Sequence, residues 1–138
     1  MAVTVVDRAK KKCTSYLAGL TLKAMLVNVL TPNAGTQHVV SDVSGTEISG
    51  NGYARVALTS LASSEDNTNH WGKLTSATIS FGAVGPVSGQ AITHLIVYDD
   101  AGGADSARDI IAIYDCVASL NSGSFSCTVD ANGLLTLS

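Results

Sequence analysis

The sequence predicts a mostly β fold, an antiparallel β-sandwich or barrel of about seven strands with one N-terminal α-helix. Runs rich in β-branched and apolar residues recur along most of the chain. Clusters of Gly, Asn, Asp, Ser and Pro interrupt these runs roughly every ten residues, as in all-β domains. Helical spacing of apolar residues is confined to the beginning of the chain. The length of 138 residues suits one domain, and we expect a single domain over residues 1–138.

The first element is predicted to be a helix over about residues 5–19. Its apolar residues recur at spacings of three and four and share one face: Val6, Ala9, Cys13, Tyr16, Leu17 and Leu20. Asp7 near the start suits the helix dipole, and Gly19 marks the end. We expect the apolar face to cover a sheet, with Lys11 and Lys12 on the solvated face. The alternative is that the helix docks on a neighbouring subunit.

The strands begin after the helix. They are predicted at residues 23–30, 54–61, 73–81, 91–98, 109–118, 124–130 and 134–137. Residues 91–98 are the most apolar run and are expected at the centre of a sheet. Residues 38–43 are predicted as a short strand or extended loop, and the polar residues 63–72 as a surface loop. The last two strands flank Asn132-Gly133 and are expected to pair as a tight hairpin.

Composition argues against several classes of protein. The net charge is −3, and the one basic cluster lies in the predicted helix, so no nucleic-acid-binding surface is expected. Charged residues make up 14% of the chain, against about 25% in typical domains. Such a surface fits a subunit of an assembly and a Ser/Thr-rich monomer equally well. No secretory signal and no membrane span are expected, because the longest apolar run is far too short.

The three cysteines, Cys13, Cys116 and Cys127, form no C-x-x-C motif, and an odd number cannot form a closed disulfide framework. Reduced thiols are the expectation for a protein made in a cytosol. Cys116 and Cys127 could face each other on neighbouring strands, but their spacing leaves this open.

No pattern typical of catalysis or metal binding is present. His38, His70 and His94 are not at metal-ligand spacing. The acidic residues of the 99–109 loop lack the alternation of a calcium loop, so we expect them to solvate the loop. We therefore expect no enzyme activity, no cofactor and no metal. Tyr53 and Trp71 are the candidates for a sugar-binding platform.

A glycine-rich loop over residues 45–53 is the most distinctive segment. Gly50 and Gly52 permit positive φ, and Tyr53 is expected to anchor the loop on the core. Arg55 is expected either to pair with a carboxylate such as Glu47 or to contact a neighbouring subunit.

Three strings of the sequence resemble, in the same order, those of small structural proteins of tailed bacteriophages. They are Glu-Ile-Ser-Gly-Asn-Gly-Tyr-Ala-Arg-Val at 47–56, Ala-Thr-Ile-Ser-Phe-Gly-Ala at 77–83, and Thr-His-Leu-Ile-Val-Tyr-Asp-Asp-Ala-Gly-Gly at 93–103. The end of the chain is similar to the final hairpin of that family. The chain departs from the pattern where Gly85-Pro86 replaces a Trp-Gly pair, which occurs earlier as Trp71-Gly72. The resemblance implies a component of the virion.

On this resemblance, we expect a capsid decoration (cement) protein, a homotrimer that binds the major capsid protein or other virion subunits, on a virion assembled in the host cytoplasm. The alternatives are a tail, fibre-base or baseplate subunit and a carbohydrate-binding adhesion module. The candidate interface residues are Glu47, Tyr53, Arg55 and Trp71. No nucleic-acid or membrane partner is expected.

Overall fold

The computed structural model describes residues 5–50, 52–84, 91–119, 124–129 and 132–137. In these residues one helix, α1 (Asp7–Ala18), precedes nine strands: β1 (Leu22–Val27), β2 (Val56–Ala57), β3 (Ala62–Asp66), β4 (Trp71–Thr75), β5 (Ile79–Ala83), β6 (Ala91–Asp99), β7 (Ile110–Ser119), β8 (Ser124–Cys127) and β9 (Leu135–Leu137). The strands pair antiparallel throughout. The predicted mostly β fold with one N-terminal helix is confirmed, with more strands than the sequence indicates. These strands form three separate sheets and close no barrel.

The chain divides into two compact units. The helical unit comprises Met1–Leu20, Leu58–Thr78 and Thr128–Ser138, and the sheet unit comprises Thr21–Ala57 and Ile79–Cys127. Each unit is assembled from segments that are distant in the sequence. One domain over residues 1–138 remains a prediction.

In the helical unit, α1 packs against the three-stranded sheet β3-β4-β9. The approach is close at Gly72, where a Cβ atom would overlap the backbone of Lys10 and Lys11. Thr14 is fully buried, and its hydroxyl oxygen lies 2.7 Å from that of Ser63. Both hydroxyls lie 3.0 Å from the carbonyl oxygen of Lys11. These hydrogen bonds therefore help to hold the helix on the sheet.

The helix covers a sheet as expected, but the predicted buried face is only partly correct, with Ala9, Leu17 and Leu20 partly buried. Val6 is 64% exposed, Tyr16 is 70% exposed, and Cys13 is exposed as well. The buried face instead centres on Thr14, with Lys11 partly buried beside it. Because Gly72 brings the backbones together, there is no room at this contact for a layer of large apolar side chains.

The predicted surface loop over residues 63–72 is also wrong, since it contains most of β3 and the start of β4. The two strands form a hairpin in which Asp66 pairs with Trp71. The Asp66 carboxylate accepts the backbone N–H groups of Thr68 and Asn69 and so closes the turn. β3 has the sequence Ala-Ser-Ser-Glu-Asp, which carries no apolar signal for a strand.

The sheet unit is centred on a four-stranded sheet in the order β2-β1-β6-β7. β1 and β6 lie in the middle and pair from Leu22–Asp99 to Val27–His94. The central position expected for residues 91–98 is confirmed. A buried cluster joins residues of β1 and β6 to the 40–43 segment: Met25, Val27, Val40, Val43, Ile96 and Tyr98. β5 and β8 form a separate two-stranded sheet in the same unit.

Other predicted elements are shorter or paired differently. The strand predicted at 73–81 is two strands, β4 and β5, and the strand predicted at 54–61 is only the short β2. In the 38–43 segment, residues 40–42 form a 3₁₀ turn. The hairpin of the last two strands is wrong. β8 pairs with β5, and β9 pairs with β4. The Asn132-Gly133 turn lies against β4, where a Cβ at Gly133 would come within 2.6 Å of the Leu74 carbonyl oxygen.

Candidate functional site

The segment that contains Glu47, Tyr53 and Arg55 lies beside β1 in the sheet unit. The backbone of Glu47 forms an isolated antiparallel β-bridge with that of Val27, and Ile48 donates its N–H to the carbonyl oxygen of Leu26. The chain then leaves β1 and returns to it at β2, which pairs with Lys23 and Ala24. Residues 48–55 therefore form a loop whose two ends are both held by the same strand.

Tyr53 fastens this loop to β1. Its hydroxyl accepts the Leu26 N–H at 3.0 Å and donates to Glu47 Oε1 at 2.8 Å. Its ring stacks on Phe81, with the centroids 6.1 Å apart. Burial raises the pKa of Tyr53, so the hydroxyl keeps its proton and remains a donor. This is the anchoring role expected from the sequence.

Two glycines shape the loop as expected. Gly50 and Gly52 have φ angles of 90° and 84°, in the region that L residues rarely adopt. A Cβ at Gly52 would also lie 2.8 Å from the carbonyl oxygen of Ala83. Gly52 is therefore required both for its conformation and for the close passage of β5.

Arg55 binds two carboxylates through its guanidinium group. Nε and Nη2 donate to Glu47 at 2.8 and 2.7 Å, and Nη1 and Nη2 donate to Asp105 at 2.7 and 2.8 Å. The group also lies over the Tyr98 ring, 5.5 Å from its centroid. The expected pair with Glu47 is present. Asp105, then Glu47, raises the pKa of Arg55 above its usual range, so the charge is permanent.

The ion pairs continue beyond Arg55. Arg108 Nη1 lies 2.7 Å from Asp105 Oδ1, Arg108 Nε lies 2.7 Å from Asp100 Oδ1, and Lys23 Nζ lies 2.6 Å from Asp100 Oδ2. We call the whole set the ion-pair chain: Glu47, Arg55, Asp105, Arg108, Asp100 and Lys23. It alternates three acidic with three basic side chains, so its formal charges cancel.

The ion-pair chain lowers the pKa of its aspartates. The hydrogen bond from Arg55 is the main cause that lowers the pKa of Asp105 to about 2, and Lys23 is the main cause that lowers the pKa of Asp100. The expectation that the acidic residues solvate the 99–109 loop is therefore wrong for these two. Their oxygens instead hold the loop to Arg55, Arg108 and Lys23.

Trp71 lies in the helical unit, half-buried at the start of β4. The structure therefore brings together Glu47, Tyr53 and Arg55, but Trp71 belongs to a different unit. An interface formed by these four residues, and a sugar-binding platform of Tyr53 and Trp71, remain predictions.

Sequence reasoning missed Asp105, Arg108, Asp100 and Lys23 as partners of the site. Arg55 and Asp105 are 50 residues apart, and no local spacing connects them. The one available signal was the pair Asp105 and Arg108, three residues apart in a loop rich in glycine and aspartate.

In the residues that the structure describes, no group of three or more His, Cys, Asp or Glu side chains is placed to hold a metal ion. Within the same residues, no helix has the length and apolar character needed to cross a membrane. Large apolar side chains do reach the surface, at Val5, Val6, Tyr16 and Val29.

Comparison with known proteins gives one family. The profile described as "Podophage GP4 fiber I protein gp80" matches residues 21–107, which is more than half of the chain. The match spans β1 to β6 and includes the whole ion-pair chain except Arg108. No curated protein and no solved structure matches the chain. The chain belongs to the podophage GP4 fiber I protein gp80 family and is a structural protein of a bacteriophage virion.

Proposed function

We propose that this protein is a non-enzymatic structural subunit of a phage tail or fibre. The observation that carries the proposal is the family match over residues 21–107. That match favours the tail and fibre interpretation over the capsid decoration role that the sequence analysis placed first. We further infer that the string at 47–56 is a signature of this family, because it builds the loop that Tyr53 and Arg55 hold.

The chemistry of the site agrees with a structural role. The donors of Arg55 are occupied by Glu47 and Asp105 of the same chain. The Tyr53 hydroxyl is occupied as well, as donor and as acceptor. These groups stiffen two loops and have little capacity left for a substrate.

Assembly is the second part of the proposal. A fibre subunit must bind other virion subunits, and exposed apolar side chains are suitable contact points. Tyr16 lies on the outer face of α1, Val6 immediately precedes that helix, and Val29 follows β1. We propose that the protein forms a homo-oligomer, with a trimer as the first state to test by sedimentation equilibrium.

Immunogold electron microscopy of purified phage tests the location. A phage carrying an epitope tag on this protein is labelled and compared with an untagged phage of the same preparation. Gold on the tail or fibres is expected. Gold distributed over the capsid surface would overturn the fibre proposal in favour of capsid decoration.

A further inference from the structure

Two cysteines that are distant along the chain have their sulfur atoms in contact. Cys116 lies on β7 and Cys127 on β8, and their Sγ atoms are 3.5 Å apart. Both residues are partly buried. A disulfide bond is about 2.05 Å long, so an approach of about 1.5 Å would join them.

The strand pairing beside Cys116 is irregular. The register between β6 and β7 shifts between the pairs Ile92–Ala118 and His94–Asp115, and Cys116 lies within this irregular stretch. Irregular pairing of this kind leaves a residue outside the regular ladder. On the other side, Cys127 lies at the end of β8, opposite Ile79.

We propose that Cys116 and Cys127 form a disulfide bond after the virion leaves the reducing cytoplasm of its host. The bond joins β7 of the four-stranded sheet to β8 of the two-stranded sheet. It therefore acts as a covalent clamp within the sheet unit. The geometry is independent of whether the protein sits on a fibre or on the capsid.

The chemistry is a thiol–disulfide exchange with a small disulfide such as oxidised glutathione. One cysteine loses its proton, and its thiolate attacks the glutathione disulfide, which releases one glutathione thiolate and leaves a mixed disulfide. The thiolate of the second cysteine attacks the protein sulfur of that mixed disulfide and releases the second glutathione. The protein loses two electrons and two protons, and the glutathione disulfide is reduced to two thiols.

The protein environment of Cys127 keeps its thiol protonated before the virion is released from the host cell. Burial, with Cys116 as a second cause, raises the pKa of the Cys127 thiol to about 12. Because the thiolate is the reactive form, a thiol that keeps its proton reacts slowly. Cytosolic glutathione keeps such pairs reduced, whereas the surroundings of a released virion are oxidising.

The test uses the full chain with Cys13→Ser, which removes the exposed third thiol. The protein is purified in reductant, exchanged into oxidised glutathione, and analysed by intact mass and by free-thiol titration after denaturation. The expected product has lost two hydrogen atoms, carries no glutathione and has no free thiol. Peptide mapping should join the segments that contain Cys116 and Cys127. The control is the same chain with Cys116→Ser, which should keep one thiol or carry one glutathione.

A stability measurement completes the test. A cross-link closing a loop of this length should raise the Tm of the oxidised Cys13→Ser protein by roughly 5–10 °C over its reduced form. The Cys116→Ser control should show no such difference. Two stable glutathione adducts without a cross-link, or disulfide-linked dimers in place of the internal bond, would overturn the proposal.

Discussion

At the level of single residues, Arg55 is the side chain that connects the glycine-rich loop to the 99–109 loop. It makes four charge-assisted hydrogen bonds to two carboxylates, a geometry that suits the planar guanidinium group and not an ammonium group. Glu47, Tyr53 and Arg55 could be singled out from the sequence because they lie within nine residues of one another. Asp105 could not, because only the fold brings it to Arg55.

Replacing Arg55 should therefore destabilise the sheet unit. We expect Arg55→Ala to lower the free energy of unfolding by about 1–3 kcal/mol, since it leaves Glu47 and Asp105 without their shared cation. Arg55→Lys should recover only part of the loss. Urea unfolding measures the change, with Arg8→Ala on the exposed side of α1 as the matched control. Equal effects of Arg55→Ala and Arg8→Ala would contradict this role.

Asp105 gives the ion-pair chain a pH dependence. Its pKa is lowered from 3.8 to about 2 in the folded protein, mainly by Arg55. A group with a lowered pKa binds protons more readily in the unfolded state, so its contribution to stability is complete above pH 3.8. That contribution is lost as the pH falls from 3.8 towards about 2. In the Asp105→Asn variant, the free energy of unfolding should fall less steeply below pH 3.8 than in the unchanged protein. An unchanged slope would argue against the ion pair of Asp105 with Arg55.

Val29 carries backbone strain on the surface. It is 83% exposed and has a φ angle of 46°, a conformation that is unfavourable for a β-branched residue. Val29→Asn should raise the free energy of unfolding by about 1 kcal/mol, because Asn tolerates this conformation. Val29→Ala is the control, since it removes the branch but not the Cβ. Thermal unfolding that shows no gain for Val29→Asn would contradict the strained conformation.

At the level of elements, the sequence predicts best where the strand is a long run of apolar residues. β1, β6 and β7 are long apolar runs, and their positions agree closely with the predictions. β3 could not be found in the same way, because a polar strand beside a hairpin turn has the composition of a loop. The apolar face predicted for α1 was wrong at Val6, Cys13 and Tyr16 for a related reason. The closest contact lies at Gly72 and Thr14, and apolar periodicity does not report such a contact.

Gly72 offers a direct test of the helix position. Gly72→Ala places a Cβ into the backbone of Lys10 and Lys11, which must move away. We expect a loss of about 1–3 kcal/mol in the free energy of unfolding, as for other overpacked sites. Fluorescence of the neighbouring Trp71, the single tryptophan, should report the displacement. Gly45→Ala is the control, because nothing lies within 4 Å of a Cβ at that position. If both variants unfold alike, the helix does not contact the sheet at Gly72.

At the level of the whole molecule, composition and the family match give different kinds of information about function. Low charge fits a subunit of an assembly and a monomer equally well, and composition does not distinguish one place on a virion from another. The resemblance pointed to a virion component, and the family match then favoured the fibre over the capsid shell. The physical reason is simple: location depends on the surface of a partner, and this chain's sequence does not contain that surface.

We propose that this protein is a subunit of the tail or fibre, and cross-linking mass spectrometry of intact virions would identify its neighbours. An amine-reactive cross-linker would react with exposed lysines such as Lys12 on the outer part of α1. We expect cross-links to tail or fibre proteins and between copies of this chain. Cross-links confined to the major capsid protein would contradict it.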